Sequence, residues 1–186
     1  MAEIPYLQEQ VLCRVVDGKQ EEIKREFNIT ISNLDSHKSM LLNKLSSMLV
    51  EVIQKSMKNG PPAHYSQPFD KNANKGPSDY IDKISKSMNN LNKAILAFLN
   101  DECRKIIFNG VFPNFIDEIG ELVNGLNEES FEWFKHDLKF LEKDTSDLAS
   151  GVSTGVAFMN RIKELQDATI EDLVYMEEEE DEDENE

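Results

Sequence analysis

Ser153 stands in Gly151-Val-Ser-Thr-Gly155, the G-x-S-x-G spacing that exposes a nucleophilic serine on a sharp strand-to-helix turn. That chemistry needs a parallel sheet, and the residues before the motif, Glu142 to Ser150, read as helix or loop. Glycines that let helices approach closely, or a joint, are the preferred reading. Glu132 and His136 lie four apart and share a helix face, with Asp137 beside them. A metal would need a further ligand from elsewhere, and His37 and His64 fall in other segments, so solvated helix surface is expected. Asp117 and Glu121 also share a face, but two carboxylates do acid–base work only where a pocket separates their pKa values. Walker and dinucleotide glycine patterns are absent, and Cys13 and Cys103 have neither CxxC nor Cys/His spacing. The expectation is a protein that is not an enzyme and takes no cofactor or metal.

Charge is the other chemical signal. The net charge is −16. Residues 1–110 hold 15 Lys and Arg against 13 Asp and Glu, whereas residues 111–186 hold 5 against 23. Nine of the last ten residues are acidic, including Glu177, Glu178, Glu179, Glu180 and Asp181. Directly before them stand Ile170, Leu173, Val174 and Met176. An extended apolar peptide followed by dense negative charge can add a strand to a partner's sheet edge and be steered by a basic surface. The segment resembles a SUMO-interacting motif, which implies such a partner. The same run also suits basic proteins such as histones or ribosomal proteins, and a purely solubilising tail is the plainest alternative. Like charge argues against direct DNA or RNA binding.

The N-terminus lacks the basic start and apolar centre of a signal peptide. No stretch approaches the roughly 18 apolar residues of a membrane span. A cytoplasmic or nuclear protein without a membrane partner is expected. Pro61-Pro-Ala-His-Tyr65 is one residue longer than the P-P-x-Y ligand of WW domains, and an exposed connection is the simpler reading.

Helices must position these groups. Pro5 fits the first turn of a short helix carrying Leu7, Val11 and Val15, with Leu12 and Val16, and Asp17-Gly18 would stop it. Phe27, Ile31, Leu34, Leu41, Leu45, Met48 and Val52 then alternate steps of four and three, broken only by Lys38. This heptad period keeps one seam toward a partner helix. A helix over about 19–58 is expected, then a Pro- and Gly-rich loop over 59–77. Ser78 or Asp79 caps a second helix in which Ile81, Ile84, Met88, Leu91, Ile95 and Phe98 repeat the spacing, with Asn109-Gly110 as its stop. The two would form an antiparallel hairpin whose register sets Lys38 near Glu102.

After Gly110 the phenylalanines gather: eight of ten lie between Phe98 and Phe158, together with Trp133, marking a bulky core or a partner groove. Short helices are expected after Pro113 and across Phe131, Phe134, Leu138, Leu141 and Leu148. No strand alternation is sustained. The expectation is thus an elongated all-α protein: a long helical hairpin over 1–110, an aromatic-rich helical module over 111–166, and a disordered acidic tail over 167–186. A seam left uncovered invites another chain. A helical subunit or adaptor of an intracellular complex is therefore expected, contacting a helical partner or a second copy of itself through the Phe27–Val52 stripe and through Ile84, Leu91, Ile95 and Phe98. These residues could equally form a monomer's interior. An acidic-tailed escort for basic proteins is the alternative.

Overall fold

Apolar residues at three-and-four spacing do form helices here, and among the described residues there are no strands. The structure, a computed structural model, describes residues 3–13, 19–65 and 76–169. Its helices are α1 (Glu3–Leu12), α2 (Gln20–His64), α3 (Asp79–Phe98), α4 (Asp101–Val123), α5 (Glu128–Ala149) and α6 (Ser153–Asp167). The chain is all-α. It divides into two units, Met1–Asn43 and Lys44–Glu186. Of the acidic tail expected over 167–186, Asp167 closes α6, and residues 170–186 lie outside the described part, as do Val15 and Val16 of the expected first helix.

The first unit holds α1 and the opening of α2. Gln20 Nε2 donates to the carbonyl of Leu12 at 3.4 Å, and Lys24 pairs with Glu21 at 2.8 Å. Among its described residues only Leu42 is buried. An isolated helix is marginal in water without an apolar face to cover, so this unit supplies little of its own stability.

The second unit is built around phenylalanines. Phe108, Phe112 and Phe115 of α4, Phe134 of α5 and Phe158 of α6 are wholly buried. Phe158 stacks on Phe112 and Phe115 at centroid distances of 4.7 and 5.2 Å. α6 lies against α4 and α5, and α3 lies against α5 and, less extensively, α4. The aromatic concentration is thus a core. From Lys44 onward α2 runs beside α4 in the same direction: Ser46 faces Gly110, and residues 54–59 share a depression with Glu118, Glu121 and Leu122.

Three boundaries differ from the sequence expectation. First, α2 continues through Asn59, Gly60 and Pro61 to His64, because Pro61 still accepts at its carbonyl from Tyr65 N at 2.8 Å and Gly60 leaves room for the Tyr80 ring. Second, the helix expected to run to Gly110 ends at Phe98. Leu99 is extended, and Asn100 starts α4 by accepting from Cys103 N at 3.0 Å. Glu102 therefore belongs to the first turn of α4, and the continuous helix that would have set it against Lys38 does not exist. Third, α4 passes straight through Asn109, Gly110 and Pro113. Proline removes the donor that the Asn109 carbonyl would have had, and the Thr154 hydroxyl lies 3.5 Å from that carbonyl.

Two helices of this unit have N-termini capped from another helix. Ser78 precedes α3, yet its side chain makes no cap bond; the acceptor is Asp137 of α5, 2.7 Å from Ser78 N. At α6, Asn109 Oδ1 of α4 accepts from Thr154 N at 3.3 Å and from Ser153 Oγ at 2.7 Å. At the C-terminal end of α5, the buried Arg104 donates to the carbonyls of Leu148 and Ser150, both at 2.9 Å, while its Nε holds Asp101 at 2.7 Å. A cation at a helix C-terminus satisfies its orphan carbonyls and favours the dipole.

Candidate interaction surface

Two lines of residues run along α2, one residue apart in sequence and so about 100° apart around the helix. The buried line is Leu49, Ile53, Ser56 and Met57 in the second unit, with Leu42 in the first. The heptad stripe of the sequence falls on the other line. Leu34 is 49% exposed and Leu41 67% exposed in the first unit, and Met48 is 53% exposed in the second. Phe27, Ile31, Lys38, Leu45 and Val52 are half-buried. The buried line repeats at the same heptad spacing, so the most exposed stripe residues differ from the buried ones by face rather than by period. Ile29 and Met40 add further exposed apolar surface.

On α3 the predicted contact residues separate. Ile84 and Ile95 are buried in the unit's core, and Leu91 is half-buried. Phe98, the last residue of α3, is 87% exposed. Leu96 and Leu99 are exposed beside it in sequence.

A buried polar cluster sits at the start of α3. Asp137, without solvent exposure, accepts from Ser78 N at 2.7 Å, Ser78 Oγ at 2.5 Å and Tyr65 OH at 3.0 Å. The hydroxyls of Tyr65 and Tyr80 also bond to each other. Tyr65 stacks on Trp133 at 6.4 Å and meets Tyr80 edge-on at 6.1 Å. Burial, the neighbouring Tyr80 and the Asp137 charge push the Tyr65 phenol far above its ordinary range; burial and Asp137 do the same to Tyr80. Neutral phenols and a dry carboxylate join the end of α2 and the start of α3 to the middle of α5. The cluster ties these elements together, with Asp137 wholly buried at its centre. Sequence reasoning grouped Asp137 with Glu132 and His136. In the fold Glu132 turns to Lys135 at 3.7 Å, and His136 packs against Trp133 and Phe140.

Among the described residues no three His, Cys, Asp or Glu side chains are grouped to hold a metal, and no helix is long and apolar enough to cross a membrane. Ser153 opens α6 on a helix-to-helix turn, not on a strand, and its hydroxyl donates to Asn109. The glycine pair has the packing role expected of it at Gly155, where a Cβ would come within 2.4 Å of the Ala149 carbonyl oxygen. Gly151 supplies the positive φ of 70° that ends α5. Residues Ile170, Leu173, Val174, Glu177, Glu178, Glu179, Glu180 and Asp181 lie outside the described part. Comparison with protein-family models, with curated proteins and with solved structures finds no match for this chain.

Proposed function

We propose that this chain is a non-enzymatic interaction protein whose α2 offers a helical docking face, in the manner of a subunit or adaptor of a larger complex. The observation that carries the reading is the exposure of Leu34 and Leu41 on a heptad line whose other apolar members the chain covers only in part. A period of 3.5 maintained over several turns is the pattern by which one helix follows another. Exposed leucines at that spacing represent apolar area that a partner removes from water, at roughly 25 cal/mol per Å².

The test is purification of the intact chain with whatever it binds, followed by mass measurement of the complex. Leu34→Lys with Leu41→Lys should abolish the complex while far-UV circular dichroism stays unchanged, since neither side chain is buried. A complex that survives both substitutions would place the contact elsewhere. The acidic run supports a second reading, an escort for basic proteins. Its charge density, nine acids in the last ten residues, is the supporting feature.

A further inference from the structure

We infer that the occupant of the α2 face is a second copy of the same stretch, running antiparallel, with the two-fold centre between Ile31 and Leu34. The inference rests on the docking reading above and names its partner.

The seam of the first unit reads Lys24, Phe27, Ile31, Leu34, Lys38, Leu41, at alternating steps of three and four. In a parallel pair equivalent positions meet. Lys24 would then face Lys24 and Lys38 would face Lys38, two like-charge contacts on an otherwise apolar seam. Reversing one copy removes both. With residues whose numbers sum to 65 opposed, Ile31 meets Leu34 twice at the centre, Phe27 receives Lys38, and Leu41 lies along the aliphatic stem of Lys24. A lysine over a phenylalanine ring is attractive rather than neutral, and a lysine stem covers apolar surface while its ammonium stays wet.

Charge on the rest of this stretch agrees. Residues 19–43 carry Lys19, Lys24, Arg25 and Lys38 against Glu21, Glu22, Glu26 and Asp35. Their balance is zero in a chain of −16, so two copies meet here without the repulsion that the acidic half of the molecule would impose. The described residues of the unit also leave this helix without a core of its own, Leu42 excepted. Pairing would supply one. From Lys24 to Leu41 the seam spans about 27 Å at about 1.5 Å per residue, which suits a reversible dimer rather than an obligate one.

Sedimentation or light scattering of the full chain across the micromolar range should show a shift from the mass of one chain to that of two. Leu34→Lys, which strikes the centre twice, should weaken association at least tenfold without changing helix content. Orientation is read by oxidation in a Cys13→Ser background: Phe27→Cys with Lys38→Cys should cross-link, whereas Lys38→Cys alone should not. Cross-linking through Lys38→Cys alone would overturn the antiparallel arrangement. A wild-type chain that stays monomeric throughout overturns the second-copy inference. In that event, loss of a different partner on Leu34→Lys would leave the docking face standing, and no effect on any partner would remove both.

Discussion

Asp137 of α5 receives both the backbone N–H and the hydroxyl of Ser78, at 2.7 and 2.5 Å, and so caps a helix, α3, to which it does not belong. Ser78 is of the type that caps helices with its own oxygen, but here that hydroxyl donates to the buried Asp137. The carboxylate sits at the positive end of the α3 dipole, which offsets part of the cost of burying its charge.

Replacing Asp137 by Ala leaves the Ser78 N–H, the Ser78 hydroxyl and the Tyr65 hydroxyl without this acceptor in a dry site. A loss of about 3–5 kcal/mol is expected, since each orphaned buried donor costs about 1–3 kcal/mol. Urea unfolding followed by Trp133 fluorescence measures it, because this is the chain's single tryptophan and it stacks on Tyr65. Asp137→Ala and Ser78→Ala should couple by more than about 1 kcal/mol in a double-mutant cycle; additivity would show that the two bonds do not act together.

The tyrosines set an alkaline limit. Burial raises both Tyr65 and Tyr80 above their ordinary value of 10.0, so the fold favours the neutral phenols. A group whose folded pKa is raised contributes stability that is complete below its unfolded pKa and is lost as pH climbs above it. Stability should therefore fall above pH 10, and tyrosinate absorbance should rise in two stages, the later one coinciding with loss of helix. Tyr65→Phe with Tyr80→Phe should remove amplitude from the later stage only. Early ionisation of all four tyrosines would contradict the buried cluster.

Two glycines should respond in opposite directions to alanine. At Gly120, inside α4, a Cβ meets nothing within 4 Å. Gly120→Ala should stabilise by up to about 1 kcal/mol through helix propensity. At Gly155 the new Cβ would lie 2.4–3.0 Å from backbone atoms of Ala149, which cannot move aside as a side chain tip does. Gly155→Ala should destabilise by roughly 2 kcal/mol or more by forcing α5 and α6 apart. Thermal unfolding of both variants decides the matter.

Removal of Glu177 to Glu186 separates the two functional readings. A complex held by the α2 seam should persist at unchanged stoichiometry and at high salt. Association with histones that disappears on truncation, and that weakens steeply with ionic strength, would favour the escort reading instead.

The sequence determined that this chain is all-α, that a heptad stripe runs along its longest helix, and that its phenylalanines would gather over residues 98–158. Each follows from local periodicity and composition, which a single chain displays directly. Even the break before α4 has a local signal: Asn100 followed by Asp101 and Glu102 is a capping residue with an acidic first turn. Other features had no local signal. Gly110 and Pro113 have the form of a helix stop and a helix start, yet they lie inside α4, where Ser46 of α2 lies against Gly110 and Thr154 of α6 reaches the Asn109 carbonyl that Pro113 leaves without its helical donor. Asp137 and Asn109 resemble ordinary surface residues until the fold brings each to the bare N-terminus of another helix. Which face of α2 is covered was likewise decided in three dimensions. The stripe at Leu34, Leu41 and Met48 and the line at Leu42, Leu49 and Ile53 are both apolar, and only packing against the rest of the second unit selected Leu49 and Ile53 for the core.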